Sequence, residues 1–286
     1  KIRAGAFNKN NPKENFYFES KFFSDHSNIN LEIEKIISSL EKNTKEYIND
    51  VSLMIDSPKM ISVGISISKK LDGTILKQED IQFLIQDAKQ QILKNYSNKI
   101  IAHIIIKNHK IDNVEYTVFP DNINCKFISL DILFICLPKE IVEYYKNFFL
   151  KLNISVNQIF CTSYAKSINY KNNFSFVDNL LFIDIGFNKT SIANYYKNKI
   201  IFLNTLPIGG NHITKDISKI LKVDLDEAER LKLNFDKNQE LLDDKRISLD
   251  LIQKIIFSRI EEILEISTKS INSNFNSTRI DGYKLI

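Results

Sequence analysis

Glycine is scarce in this chain, and its placement constrains the fold more than any other sequence feature. Only 7 of the 286 residues are glycine, and Gly186, Gly209 and Gly210 lie in two short turns. Each turn follows an apolar run typical of a buried strand, and the second opens a helical segment near Asn211. Glycine is retained where a backbone turns sharply or approaches a ligand closely. The two turns therefore predict a phosphate-sized anion site made of backbone amides and a helix N-terminus.

The composition is that of a globular protein and excludes several classes. Hydrophobic residues make up 43% and charged residues 26% of the chain, which is unlike a disordered segment. The net charge of +4 comes without a basic stripe interleaved with aromatic residues, so no nucleic-acid partner is expected. Cys125, Cys136 and Cys161 show no CxxC spacing, which argues against a zinc site or a disulfide framework and indicates a reducing compartment. No apolar run approaches the ~18 residues of a membrane-spanning helix.

Hydrophobic periodicity predicts alternating strands and helices. Before a break at Ser57–Lys59, the predicted elements are the strands Lys1–Phe7, Phe16–Ser24 and Val51–Asp56, the loop Asn8–Asn15 and the helix Leu31–Asn49. A small α+β unit follows, with the order Ile61–Ser68 (strand), Gln78–Leu93 (helix), then the strands Ile100–Ile106, Val114–Phe119 and Cys125–Leu130.

From Asp131 the alternation of strands and helices seen before Ser57 resumes. The predicted strands are Ile132–Leu137, Ile154–Phe160, Asn179–Ile185, Ser191–Tyr196 and Ile200–Pro207, and the predicted helices are Lys139–Leu150, Tyr164–Ile168, Asn211–Leu221, Asp224–Leu233 and Leu249–Asn274. Strands followed by a helix occur near both Lys1 and Asn179, which predicts two similar subdomains facing one cleft. The chain starts on strand-like sequence and ends on Tyr283–Ile286, which reads as an interrupted strand, so we expect a fragment of a longer protein.

Four motifs resemble the bacterial cell-division actin homologue FtsA. They are Asp-Ile-Gly at 184–186, Pro-Ile-Gly-Gly at 207–210 with Thr214 and Asp216, the segment 226–232, and Ser-Arg-Ile-Glu-Glu-Ile-Leu-Glu at 258–265. The likeness is strongest between Leu181 and Glu265. The α+β unit also sits where FtsA carries its family-specific subdomain 1C, whereas other actin-like ATPases lack an insertion there.

The resemblance implies an α/β, actin-like/ribonuclease-H-like ATPase fold with two related lobes and an inserted α+β subdomain. Residues 1–58 and 131–180 would form the first lobe (1A-like), and residues 59–130 the inserted subdomain (1C-like). Residues 181–222 and 248–286 would form an incomplete second lobe (2A-like), with a reduced 2B-like segment at 223–247.

The resemblance also implies ATP and Mg²⁺ between the lobes. Asp184 would orient Mg²⁺ through a water molecule, and Glu229 with Lys232 would contact the nucleoside. The phosphates would lie against Gly186, Asn188, Lys189, Thr190, Gly209 and Gly210. The family's first phosphate hairpin and its adenosine glycine loop would lie before Lys1 and after Ile286. From spacing alone, Glu229 and Lys232 are more often a solvated ion pair one helical turn apart, and only their place after the two turns makes the nucleoside contact an equal alternative.

The phosphate hairpin departs from the family pattern Asp-Ile-Gly-Gly-Gly-Thr-Thr-Asp. Phe187 and Asn188 replace two glycines, Lys189 replaces a threonine and Ser191 the second aspartate. The Phe187 ring stands where close phosphate approach favours no side chain, whereas the Lys189 ammonium could add a point charge. We therefore expect at most a weak ATPase, with ATP a conformational ligand and no catalytic residue assigned.

By this resemblance the protein would polymerise and link the FtsZ ring to the inner membrane. It would act on the cytoplasmic face of that membrane at the division site, and residues 59–130 would contact other division proteins. Membrane attachment would use a C-terminal amphipathic helix that this sequence does not contain. The alternatives are a pilus-assembly actin-like scaffold, and a degenerate or other actin-fold ATPase of the sugar-kinase or Hsp70-like kind.

Overall fold

The chain folds into two compact units, Lys1–Leu53 with Glu140–Ile159 and Met54–Lys139 with Phe160–Ile286. The computed structural model describes residues 2–7, 15–20, 29–116, 118–120, 123–234, 248–274 and 284–285. Outside these ranges lie most of the predicted loop Asn8–Asn15, residues 21–24 of a predicted strand, and residues 235–247 of the predicted 2B-like segment.

The described elements follow the predicted alternation. The helices are α1 (Ile29–Thr44), α2 (Gln78–Asn95), α3 (Lys139–Lys151), α4 (Thr162–Asn173), α5 (Gly210–Leu221), α6 (Leu225–Leu233) and α7 (Leu249–Asn274). The strands are β1 (Arg3–Phe7), β2 (Asn15–Glu19), β3 (Asp50–Ile55), β4 (Ile61–Ile75), β5 (Lys99–Ile111), β6 (Val114–Tyr116), β7 (Asn124–Pro138), β8 (Ser155–Cys161), β9 (Leu180–Ile185), β10 (Thr190–Tyr196), β11 (Lys199–Leu206) and β12 (Lys284–Leu285).

The first unit packs α1 and α3 around one apolar cluster. Ile33, Phe148, Phe149 and Ile154 are its buried members. β1 and β2 form an antiparallel hairpin, and β3 pairs with β8. This packing follows the amphipathic pattern of the two helices, because each turns one apolar stripe inward.

α1 ends earlier than its periodicity predicts. The helix ends at Thr44, whereas the periodicity predicts a helix to Asn49. Lys45, the next residue, has a left-handed φ of 58°. The Lys45 N–H donates to the Glu41 carbonyl at 2.8 Å, which closes the helix end. Tyr47, which the prediction placed on the apolar face, is 87% exposed. An isolated aromatic residue at helical spacing was therefore misread as part of the stripe.

Four strands form an antiparallel sheet in the order β4-β7-β5-β6, with α2 packed against it. Leu84, Ala88 and Ile92 of α2 recur every four residues and are almost fully buried, so one face of the helix closes the core. The strand–helix–strand–strand–strand order is the one predicted, although β4 and β5 are longer than the predicted strands.

β7 is one strand where the sequence predicts two. The predicted strands Cys125–Leu130 and Ile132–Leu137 join through Asp131, which pairs with Ser66 of β4 and Asn108 of β5. Asp131 reads as a break because a charged residue is rare inside a buried strand. Here its side chain accepts a hydrogen bond from Ser66 Oγ at an exposed position, so the ladder continues across it.

The remaining sheet has the order β11-β10-β9-β12, with β9, β10 and β11 antiparallel and β12 parallel to β9. Helices α5, α6 and α7 share a third apolar cluster that includes the fully buried Ile217, Ala228 and Ile252. Arg259 of α7 donates to Asp216 of α5 at 2.6 Å, which ties these two helices together. These contacts hold α5 against both α6 and α7.

None of the described helices is long and apolar enough to cross a membrane.

Leu84→Ala should lower the free energy of unfolding by about 2–5 kcal/mol, because it empties a site that is 1% exposed in the α2 core. Leu93→Ala, the same change at a 42% exposed position of α2, should cost about 1 kcal/mol or less. Urea denaturation followed by circular dichroism compares the two variants. Equal losses would contradict the assigned orientation of α2.

Candidate functional site

The two glycine turns interlock through their backbones. The first, Gly186–Lys189, joins β9 to β10, and the second, Pro207–Gly209, joins β11 to α5. The Gly210 N–H donates to the Gly186 carbonyl at 2.9 Å and the Asn211 N–H to the Phe187 carbonyl at 2.8 Å. We call residues 186–190 and 208–211 the paired turns. The local sequence thus places the end of one hairpin directly against the start of a helix.

Thr190 and Asn188 add side-chain bonds to the paired turns. Thr190 Oγ1 donates to the Ile208 carbonyl at 2.7 Å from a buried position. Asn188 is exposed, and its Oδ1 accepts from Asn211 Nδ2 at 3.2 Å. Both predicted site residues therefore lie at the junction of the turns.

Gly209 and Gly210 are glycines for different reasons. A Cβ on Gly209 would overlap the Gly186 carbonyl and lie 2.8 Å from the Phe187 carbonyl and 2.9 Å from the Lys189 nitrogen. A Cβ on Gly210 would make only ordinary contacts, 3.5 Å from Lys232 Nζ and 3.7 Å from the Gly186 carbonyl. Packing therefore requires glycine at 209 but not at 210, where the missing side chain leaves room beside Lys232.

The first amides of α5 are bonded within the protein. Besides the Gly210 and Asn211 bonds, the Gly209 N–H donates to His212 Nδ1 at 3.2 Å, and the His212 N–H donates to the Gly209 carbonyl at 2.9 Å. The helix start predicted as an anion site thus already has acceptors for these donors. An anion placed there would have to replace them.

Glu229 and Lys232 form a clamp on the second turn. Lys232 Nζ donates to Glu229 Oε2 at 2.6 Å, to Thr214 Oγ1 at 3.0 Å and to the Gly210 carbonyl at 3.2 Å. It also lies 5.6 Å from the centre of the Phe187 ring, a cation–π contact. The Lys232 and Glu229 side chains are 13% and 23% exposed. The pair is therefore not the solvated surface pair that its spacing alone would also allow.

Lys189 directs its ammonium into the protein. Its Nζ lies 2.7 Å from Asp56 Oδ1, donates to Ser191 Oγ at 2.8 Å and also donates to Ser163 Oγ. The residue is 6% exposed. Burying an ammonium is costly unless it is paired and hydrogen-bonded, and this one is both. A phosphate contact through this side chain would have to compete with these three groups.

Asp184 is paired with a lysine that the motifs did not indicate. Lys166 of α4 donates to Asp184 Oδ2 at 2.8 Å, and the two side chains are 39% and 33% exposed. No three histidine, cysteine, aspartate or glutamate side chains within the described ranges are grouped as a metal site. Since the carboxylate predicted to orient Mg²⁺ already has a protein counter-ion, the residues do not fit a Mg²⁺ site centred on Asp184.

Sequence reasoning missed Lys166, Asp56 and Ser163. All three lie outside the glycine motifs. The hydrophobic periodicity around them does not show which face of each element packs against the hairpin. The short predicted helix around Lys166 was the available signal, because it directly precedes the motif strand. Its predicted range, Tyr164–Ile168, contains the lysine but does not show which strand the lysine faces.

A half-buried histidine, His103, holds the beginning of α4. The Cys161 N–H donates to His103 Nε2 at 2.9 Å, and the imidazole packs against Tyr164 with ring centroids 4.6 Å apart. Burial lowers the pKa of His103, because the charged form loses hydration. The helix that supplies Ser163 and Lys166 is thus anchored by a neutral imidazole that must act as an acceptor.

The sequence that contains these turns is similar to that of a known protein family. Residues 181–270 match the family model described as "Cell division protein FtsA", a stretch that contains the paired turns, Glu229 and Lys232. The chain is similar to FtsA. The resemblance drawn from the four motifs is thereby confirmed.

The similarity to individual FtsA proteins is low and partial. FtsA of Agrobacterium fabrum is 20% identical over 248 residues, 80% of this chain and 56% of that protein. FtsA of Bacillus subtilis is 36% identical over 106 residues, 32% of this chain and 24% of that protein. The chain thus spans about half the length of the curated relatives that it matches over most of its own length.

A solved structure shares the fold. A chain of the PilM-PilN type IV pilus biogenesis complex matches with a TM-score of 0.63 at 11% identity, covering 95% of this chain and 73% of that chain. The predicted actin-like α/β fold class is therefore confirmed, at the level of fold alone.

Gly209→Ala should lower the free energy of unfolding by about 1–3 kcal/mol or more, because its methyl group forces the paired turns apart. Gly210→Ala should change it by less than about 1 kcal/mol, since its methyl group meets only ordinary contacts and alanine favours a helix. Urea denaturation of both variants provides the measurement. If Gly210→Ala were the more damaging change, the turns would not interlock as described.

Stability should fall in mild acid through His103. Its pKa is about 6.5 in the unfolded chain and lower in the folded protein, so the unfolded chain takes up the proton first as the pH drops. The stability that the neutral His103 contributes to the folded protein is therefore complete above about pH 6.5. It is lost as the pH falls from there through the pKa of His103 in the folded protein. His103→Gln, whose amide oxygen still accepts from Cys161, should lose less stability between about pH 7.5 and about pH 5.5.

Urea midpoints of the wild type and His103→Gln at the two pH values test this expectation. His109, whose pKa burial also lowers, is present in both proteins and cancels in the comparison. Identical pH profiles for the two proteins would show that His103 does not contribute.

Proposed function

We propose that this chain is an actin-like scaffold of the bacterial division apparatus that binds ATP as a conformational ligand. In this role it polymerises and links the FtsZ ring to the inner membrane from the cytoplasmic face, at the division site. The support is the similarity to FtsA across residues 181–270, the stretch that contains the proposed binding residues. Membrane attachment would use a C-terminal amphipathic helix, as the resemblance to FtsA implies.

The observation that carries ATP binding is the clamp of Glu229 and Lys232 beside Gly210. Lys232 is held 2.6 Å from Glu229 Oε2 and 3.2 Å from the Gly210 carbonyl. The part-buried Glu229 carboxylate offers an acceptor to a nucleoside, and the missing side chain at Gly210 leaves space beside it. The three donors of Lys232 are bonded within the protein, so its ammonium adds a positive charge there rather than a further donor. ATP supplies the base and sugar that this surface would hold, and a polyphosphate for the first turn. That turn would present Asn188, Lys189 and Thr190 through their backbones. Gly186, whose N–H donates to the Lys189 carbonyl at 2.9 Å, would close the turn, with Gly209 keeping the two turns together.

The proposal includes at most a weak ATPase. Asp184 is occupied by Lys166, and the Lys189 ammonium is occupied by Asp56. Neither group is placed to activate a water molecule while these pairs persist. We therefore assign no catalytic residue and treat ATP as a ligand that biases conformation.

The proposed 1C-like subdomain, residues 59–130, would carry contacts with neighbouring copies and other division proteins. β4 lies at one end of its sheet, and β6 pairs with β5 only through His109–Ile111. Within the described residues, most of the outer edge of β5 therefore has no strand partner. Open strand edges bind extended segments by adding a strand, which suits a polymer-forming or adaptor subdomain.

The pilus-assembly alternative rests on the likeness to the PilM-PilN complex, which covers 95% of this chain. Both candidates share the fold, so the partner distinguishes them. A pull-down that compares a peptide from the FtsZ C-terminus with a pilus-assembly partner peptide provides the test. Retention of the FtsZ peptide alone supports the division scaffold, and retention of the pilus peptide alone overturns it.

Lys232→Met should weaken ATP binding by about tenfold or more, because it removes the positive charge beside Gly210 and leaves Glu229 without its partner. The matched control is Lys254→Met, which removes a lysine paired with Asp250 one turn away on the exposed face of α7 and should leave binding unchanged. Calorimetric titration with ATP provides the measurement. Equal ATP affinities for the wild type and both variants would show that Glu229 and Lys232 are not part of the nucleotide site. If the wild type does not bind ATP, the proposal that ATP is a ligand is wrong.

A further inference from the structure

The two lysines beside the first turn are held differently. The Lys189 side chain is 7% exposed and lies among Asp56, Ser163 and Ser191. The Lys166 side chain is 39% exposed, and its pair with Asp184 reaches solvent two residues before Gly186. Lys189 therefore stabilises the hairpin from inside, whereas Lys166 is a cation at the surface of the same hairpin.

The pair changes the charge that a phosphate would meet there. An unpaired Asp184 would repel a polyphosphate and would need a divalent cation between the two. With Lys166 Nζ 2.8 Å from Asp184 Oδ2, the carboxylate is neutralised by the protein itself. A divalent cation near the same oxygen would instead lie close to an ammonium and be repelled by it.

We propose that Lys166 is a tethered cation that replaces Mg²⁺ at Asp184, so that this site binds a nucleotide polyphosphate without a divalent metal. The ammonium supplies a fixed positive charge and up to three donors, one of which Asp184 accepts. Among the described residues the Lys166 ammonium bonds to no other group, so its remaining donors are available to phosphate oxygens. This inference rests on the proposed nucleotide site and specifies its metal requirement.

The test is calorimetric titration of ADP and ATP into the wild-type chain, in excess Mg²⁺ and in excess EDTA. Wild-type affinities in the two conditions should differ by less than about threefold. Lys166→Met should bind about tenfold or more weakly in EDTA, because a charged donor is lost and Asp184 is unmasked. Mg²⁺ should then restore much of the loss, so that the variant becomes dependent on the metal.

Two further variants keep the result interpretable. Lys166→Arg retains the charge and should behave like the wild type, and Lys219→Met removes an exposed α5 lysine and should have no effect. Circular dichroism of each variant establishes that it is folded. If Lys166→Met does not fold, the Mg²⁺ independence of the wild type and of Lys166→Arg remains the test.

Each outcome separates the two proposals. Wild-type binding that requires Mg²⁺ would overturn the tethered cation and leave nucleotide binding intact. Wild-type affinity of Lys166→Met in EDTA would also overturn the tethered cation alone. No binding of either nucleotide in either condition would overturn the nucleotide site and this inference with it.

Discussion

The backbone bonds between the paired turns are the constraint on which the candidate site depends. Gly210 and Asn211 donate to the carbonyls of Gly186 and Phe187, and these contacts join a β-hairpin to the start of α5. They form only because Gly209 has no Cβ, which would otherwise overlap the first turn. Without this close approach, Glu229 and Lys232 on α6 would still pack on α5, but they would not lie beside Phe187. The positions of the side chains in the candidate site therefore depend on how closely the two backbones pack.

A second principle is that the charges around the hairpin are balanced inside the protein. Lys166 is paired with Asp184, Lys189 with Asp56 and Lys232 with Glu229, at distances between 2.6 and 2.8 Å. Pairing of this kind lets part-buried ammonium groups persist, because each has a carboxylate close by. The hairpin thus has its charges compensated without a ligand, although it carries Phe187 and Lys189 where FtsA has glycine and threonine.

The sequence predicted most elements because their periodicities are strong. α7 was predicted with its observed bounds, Leu249–Asn274, since a long apolar stripe repeats along it. The wrong predictions have two causes, a contact between residues distant in sequence and a local helix end. Asp131 reads as a break but continues β7 through its neighbours on β4 and β5. Tyr47 has the spacing of a helical stripe but lies beyond the left-handed Lys45, in an irregular segment that the pattern does not encode.

The sequence by itself determined the glycine turns, the Glu229 and Lys232 spacing and the resemblance to FtsA, because each is a local pattern of residue types. Only the tertiary structure decided which carboxylate each lysine contacts. Lys189 pairs with Asp56 from a distant part of the chain, and Lys166 reaches Asp184 from another element. Ion pairing depends on which surfaces the fold brings within about 4 Å, and no spacing along a single strand or helix specifies that. Whether a lysine faces a ligand or a neighbouring aspartate is therefore a property of the packed molecule.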